Sequence, residues 1–307
     1  MYGWFVMTRS EEKGAGMIEF FGDLLQQRFL QYALLSGLLA SVACGIVGSY
    51  IVTRRITFIA GGIAHSVLGG MGIARYCQVV FGWDWMHPLY GAIAAALLAA
   101  LIIGVASLSS RQREDTVISA IWAVGMAVGI LFIFKTPGYT ENLMSYLFGN
   151  ILMVSASDLW LVAGLDILVV AAGIVFYKQL LAVCFDEEFA KLRGLKVEFY
   201  YILLLCLTAL TVVLLVSVVG IVLVIALLTI PAAVAGQFAK RLWQMMVLAV
   251  VFTAGFTTFG LALSYGSNLP SGATTILLAG AVYFLTLVFP LRRRRRKAAV
   301  KNASSAQ

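Results

Sequence analysis

This chain is short of charge, and shortest of acid: its 307 residues hold 14 Asp and Glu against 22 Lys and Arg, and charged residues make up 12% of the whole. With 62% of residues hydrophobic and a mean hydropathy of +0.96, that scarcity excludes a soluble globule, which could not hide so much apolar surface. Cysteine is sparse too. Cys44, Cys77, Cys184 and Cys206 share no CxxC spacing and sit in or beside apolar runs, so they read as small buried hydrophobes rather than a disulfide framework or zinc cluster. The chain has no Gly-Lys dipeptide, hence no Walker-type phosphate loop, and neither HExxH nor GxSxG occurs. His65 and His87 are the only histidines, so hydrolase chemistry lacks a plausible set of groups. Any uphill movement of a solute would have to draw on a partner or an ion gradient. Residues 1–28 carry scattered charges from Arg9 to Arg28 and no apolar core of leader length, so no cleaved signal is expected.

What the chain does have is a succession of uncharged runs of membrane-crossing length. They are Phe29–Thr53, Ile56–Ala74, Pro88–Ser110, Thr116–Phe134, Leu159–Tyr177 (with one Asp), Phe199–Ala239, Leu242–Leu263 and Ala273–Leu291. Phe199–Ala239 is long enough for two passes turned near Gly220, which predicts an all-α polytopic bundle of about nine transmembrane helices. The expected organisation is an N-terminal extension over 1–28, a membrane domain over 29–291 and a basic cytoplasmic tail over 292–307. Met17–Gln27 has helical apolar spacing and is expected to lie along the interface. Asn142–Val154 is apolar but too short to span, which suits a re-entrant or interfacial helix.

Basic residues gather in alternate loops, leaving only Arg9, Lys13, Arg28, Arg75 and Lys135 outside that pattern. The positive-inside rule then puts the N-terminus outside and the C-terminus inside, as an odd number of spans requires. The RRRRRK tail directly follows a span, so it is expected to anchor at lipid headgroups, and no nucleic-acid partner is called for.

Four features inside or near the spans could carry chemistry. His65 stands about 14 Å into the second run, close to the bilayer centre, where a titratable group is costly. It is either a structural histidine bonded to a neighbouring helix or a transient ligand or gate for a cation, since neutral imidazole binds divalent transition metals well. Gly61, His65 and Gly69 share one helical face, with Gly62, Ser66 and Gly70 beside it, which predicts close packing of this helix among others. Asp166 is the carboxylate well inside a run; it would complement an imidazole for Mn²⁺, Zn²⁺ or Fe²⁺, or serve as an interfacial or ion-paired group. Pro231 removes a bond to the carbonyl of Leu227 and so frees an acceptor that can line a path or merely kink the helix. At the outer mouth, Asp84 and His87 form either a cation-admitting pair or part of an aromatic belt with Trp83 and Trp85.

The stretch 185–198, FDEEFAKLRGLKVE, is the most highly charged segment between runs. Asp186, Glu187 and Glu188 open it and Lys191 and Arg193 follow, the order a helix dipole favours, and Gly194 can end the helix. Such an exposed short helix is an ordinary loop or a docking knob for a soluble partner.

Taken in order, RRITFIAGGIAHSVLGG, SYLFGN and GIVLVIALLTIPAAVA resemble the ABC-3 family, the permease subunits of ABC importers for zinc, manganese or iron. The likeness runs from about Phe29 to Leu291. Glu188-Phe189-Ala190 followed by Gly194 resembles the EAA…G pattern by which importer permeases contact their ATPases, with Phe in place of the second Ala. The resemblance implies a type II ABC importer-like permease that works as a homodimer in the cytoplasmic membrane. It implies a separate ATP-binding cassette subunit docking at about 185–196 (Asp186, Glu187, Glu188, Ala190, Gly194) and an extracytoplasmic metal-binding protein delivering cargo. A divalent metal ion would be transported rather than stably bound, and His65, Asp166, Gly61 and Pro231 would border its path. Many members carry Asp four residues before the histidine; here that position is Gly61. The rival readings are an ABC permease for a siderophore, haem or vitamin B12, and an ion-coupled secondary transporter.

Overall fold

Residues 20, 22–24, 26–109, 114–137, 156–267 and 269–304 are described by the computed structural model. They form α1 (Arg28–Arg54), α2 (Thr57–Val80), α3 (Pro88–Leu108), α4 (Glu114–Lys135), α5 (Ala156–Val175), α6 (Tyr177–Phe185), α7 (Glu187–Leu192), α8 (Val197–Val219), α9 (Ile221–Phe238), α10 (Leu242–Ser267) and α11 (Ser271–Ser304). Among the described residues eight of these helices are long and apolar enough to cross a membrane, and counting the bent pair α5–α6 as one span gives nine. Among the described residues there is no strand. The molecule is a multi-pass membrane protein. In hydrocarbon every backbone donor and acceptor must be met within the segment, and apolar helices do so without a partner.

The local chemistry marks where helices stop. Arg55 closes α1 in the left-handed region (φ 64°), with its own N–H and that of Ile56 returning to Val52 and Ile51. A glycine would do this at less steric cost. Arginine adds positive charge beside the last carbonyls of α1, where the helix dipole welcomes it. Pro88 begins α3, and the His87 ring accepts from the backbone N–H of Leu89 as its cap. Between α8 and α9 stands one residue, Gly220, at φ 82° and ψ 163°, a conformation open essentially to glycine alone.

α1 and α2 are the interior helices; α4 and α11 are the most exposed. α1 packs on α5, α8, α9 and α10, and α2 lies between α3 and α4. Glycine lets the backbones of α2 and α4 meet. A Cβ at Gly69 or Gly72 would stand 2.8 Å from the carbonyl oxygen of Gly125 or Gly129, and one at Gly125 would stand 2.6 Å from Cα of Ser66. Without a hydrophobic drive between helices in lipid, such van der Waals seams carry association.

The structure adds three details to that reading. The fifth run does not end at Tyr177: the chain bends by 70° after Val175 and continues as α6. The last helix does not stop at Leu291 but runs to Ser304, since arginine, lysine and alanine are strong helix formers. Of Met17–Gln27, the described part docks on protein: buried Phe20 meets the Tyr265 ring edge-on at 5.9 Å, and the Tyr265 hydroxyl donates to Asp23 Oδ2 at 2.7 Å. Asn142–Val154 lies outside the described residues.

Candidate functional site

His65 sits in the middle of α2, 8% exposed. Its ring stacks on the indole of Trp122 from α4, with centroids 4.3 Å apart and planes 17° from parallel. Nδ1 of His65 is buried without a hydrogen-bond partner. A buried polar atom left so costs about 1–3 kcal/mol unless something meets it. Gly61, one turn earlier, faces the same indole: a Cβ there would stand 2.9 Å from Cζ3 of Trp122. Beside this pair opens a groove of about 430 Å³, bordered by Thr57, Gly61, Trp122, Thr229 and Tyr283 among others. Pro231 lies buried in α9 two residues beyond Thr229, and the helix continues through it. On the α1 side of α9, a Cβ on Gly48 would collide with the carbonyl oxygen of Leu228.

Asp166 and His65 are held by different neighbours. The Asp166 carboxylate, 6% exposed, accepts a 3.1 Å hydrogen bond from the backbone N–H of Ala43 in α1. Nothing bonds it to His65, and no cluster of three or more His, Cys, Asp or Glu occurs among the described residues. On the connection between α2 and α3, His87 spends Nδ1 on capping α3, at 3.3 Å from Leu89 N, and no hydrogen bond or ion pair joins it to Asp84. Trp83 and Trp85 stack at 6.1 Å and are exposed, as interfacial aromatics are. A cavity of about 180 Å³ behind His87 is walled by Met71, Ala92, Leu161, Leu165 and Val213, all apolar.

The end of the bundle that carries α7 is more elaborate than the sequence suggested. Asp186 caps α7, accepting from Phe189 N at 2.9 Å, and Ala190 is fully buried beneath it. Gly194, at φ 76°, closes α7, donating to Lys191 O at 2.9 Å while Leu195 N reaches Ala190 O at 3.1 Å. Glu188 points to solvent. Phe185, Phe189 and Leu192, spaced four and three residues apart, are 67%, 49% and 87% exposed on this knob. Glu187 turns inward instead: Arg54 at the end of α1 binds its Oε2 at 2.5 Å and Lys191 its Oε1 at 3.0 Å. Those partners, Arg54 foremost, hold the Glu187 carboxyl below the usual carboxylate range. The same guanidinium lies 5.6 Å over the ring of Tyr201 in α8, whose hydroxyl reaches Glu114 of α4 at 3.2 Å and Ser107 of α3 at 3.1 Å. One polar assembly thus ties α7 to four transmembrane helices.

Sequence reasoning missed Trp122, Arg54, Glu114 and Tyr201. Trp122 sits in an unbroken apolar run with nothing local to single it out. The glycines that flank His65 on its own face, Gly61 and Gly69, were the usable signal, since small residues at that spacing demand something bulky or close opposite them.

The model of the ABC 3 transport family matches residues 26–290. An uncharacterized membrane protein of Synechocystis sp. is 44% identical over 283 residues, covering 92% of this chain and 98% of that one. The manganese transport system membrane protein MntC of Listeria monocytogenes is 35% identical over 271 residues, covering 88% of this chain and 94% of that one. Among solved structures, a chain of PsaBC from Streptococcus pneumoniae in complex with Fab superposes with a TM-score of 0.78 at 33% identity, over 88% of this chain and 94% of that chain.

Proposed function

This chain belongs to the ABC 3 transport family, and on that premise we propose that it is the membrane permease subunit of an importer for divalent metal ions, manganese, zinc or iron, energised by a separate ATPase. The observation that carries the reading is the α7 knob. Two large apolar side chains, Phe189 and Leu192, stand exposed on a short helix whose cap, floor and exit are all built, and Phe185 stands exposed immediately before it. An exposed apolar cluster of this kind marks a contact surface. Its position, tethered by Glu187 and Arg54 to the inner ends of α1 and α8, suits a lever that transmits movement from a soluble subunit into the bundle. Glu188, Ala190 and Gly194 complete it: an exposed acid, a close-packed floor and a positive-φ exit that glycine takes at least cost. The names of the relatives, manganese transport among them, support the cargo class.

Movement around the membrane midplane would alternate access at His65, with Gly61 and Pro231 bordering the same region. A conduit needs weak contacts that release their ion, and an imidazole with no carboxylate partner suits that need. Two copies of the chain would form the path, and an extracytoplasmic metal-binding protein would supply it.

The test is reconstitution of the full importer in proteoliposomes, with metal uptake and ATP hydrolysis measured together. Phe189→Asp combined with Leu192→Asp should leave a folded permease that neither retains the ATPase subunit nor takes up metal. Wild-type uptake by that variant, or accumulation against a gradient by the permease alone, would overturn the assignment.

A further inference from the structure

We propose that Trp122 is a positioning and specificity-determining residue for metal passage: it orients the His65 imidazole and bars a second donor from the neighbouring turn of α2. The inference rests on the transport reading and adds to it a residue and a consequence for selectivity.

Trp122 lies along one face of α2. It touches Phe58 (ring centroids 5.7 Å apart), the bare backbone of Gly61 and the ring of His65. Stacking face to face at 4.3 Å covers a π surface of the imidazole but leaves its edge free, and the edge is where both nitrogens carry their lone pairs or protons. Metals coordinate in the ring plane, so the stack does not compete with ligation. It does fix the second torsion of the side chain, which is otherwise broad. A histidine kept for structure is ordinarily anchored through its nitrogens; this one is anchored through its face while buried Nδ1 has no partner. An arriving cation, or a water of its hydration shell, would satisfy that atom.

The second effect is exclusion. A side chain on Gly61 would share one helical face with His65, four residues on. Its Cβ would stand 2.9 Å from the indole, so any substituent must push Trp122 aside. The groove on the other side of Trp122 and Gly61, about 430 Å³, is lined by Thr57, Thr229 and Tyr283 among apolar residues and by no carboxylate, and His65 is not part of its wall. With Gly61 bare, a cation that reaches His65 finds no carboxylate on the neighbouring turn, keeps part of its water, and is poorly discriminated among divalent metals. An added carboxylate would hold the ion longer and favour the harder Mn²⁺ over Zn²⁺.

The experiment uses the complete importer in proteoliposomes, with Mn²⁺ and Zn²⁺ uptake measured singly and in competition, and with thermal melting to follow folding. Trp122→Phe, which keeps a ring, should stay within about twofold of wild type. Trp122→Leu, which keeps bulk and loses the stack, should raise KM for metal about tenfold with little change in melting, the loss expected when a partner that orients a ligand is removed. Gly61→Asp with Trp122→Leu should lower KM, lower the maximal rate and shift the competition toward Mn²⁺. The proposal falls if Trp122→Leu keeps wild-type KM and metal preference, or if Trp122→Phe is as impaired as Trp122→Leu. If the wild-type importer moves neither metal, the transport reading fails instead, and the two failures are told apart by that control.

Discussion

Gly125→Ala adds one methyl group where α4 meets α2, and its consequence can be worked through. The new Cβ would lie 2.6 Å from Cα of Ser66, 3.1 Å from its Cβ and 3.3 Å from its nitrogen. Carbon atoms attract best at about 3.5–4.0 Å, so the two backbones must part by roughly 1 Å. The nearest atom is main chain, and no rotamer change relieves the clash. Overpacking of this kind costs about 1–3 kcal/mol. Alanine's better helix propensity returns about 1 kcal/mol, leaving a net loss of up to about 2 kcal/mol. Gly164→Ala is the matched control, since its Cβ would meet nothing within 4 Å, and it should be neutral or gain up to about 1 kcal/mol. Equilibrium unfolding of the purified protein in mixed micelles, monitored by tryptophan fluorescence, should separate the two by about 1–3 kcal/mol, the overpacking cost, since the propensity gain is common to both. Transport should fall in Gly125→Ala alone, because parting α2 from α4 pulls His65 off Trp122. Equal stability of the two variants would refute the packing argument.

The remaining expectations concern carboxylates. Asp166→Asn keeps an acceptor for the N–H of Ala43, so folding and uptake should stay close to wild type, whereas Asp166→Leu should lose about 1–3 kcal/mol in the same unfolding assay. A steep loss of uptake in Asp166→Asn would assign the role to the charge. Arg54 and Lys191 depress the titration of Glu187, so its contribution is complete above the ordinary carboxylate range near 4.3 and disappears as pH falls through the lowered value. Coupling of ATP hydrolysis to uptake should therefore be insensitive to this group between pH 6 and 8, while Glu187→Gln weakens it at every pH. A Glu187→Gln importer with normal coupling would show the tether to be idle.

Helix number and order were legible because most spans are delimited by charge: Arg54 and Arg55, Lys135, Lys240 and Arg241 stand where helices end, and between α8 and α9 the sheer length of the uncharged run called for a turn near Gly220. The bend after Val175 was not, for neither proline nor glycine marks it, and Gly173 lies before it. Uncharged length says how much chain can enter a membrane, not where it turns along the surface. The contents of the membrane core were only half readable. His65 announces itself by its cost, and the glycines beside it announce contact, yet their partner Trp122 is one apolar residue among many. Asp166 looked like a companion for His65 because both are polar and deep. The choice of Ala43 as its donor is decided by packing across 123 residues of sequence. Glu187 was read as a helix-dipole acid, and nothing in the sequence pairs it with Arg54, 133 residues earlier.

Gly220 leaves the chain no slack between α8 and α9. At the end of the bundle remote from the basic loops, these two spans offer a protease or an antibody nothing to grip. An epitope spliced there would drag both helices out of register. A reporter for that side of the membrane belongs on the 81–87 connection, where the chain has residues to spare and the side chains already stand in the open.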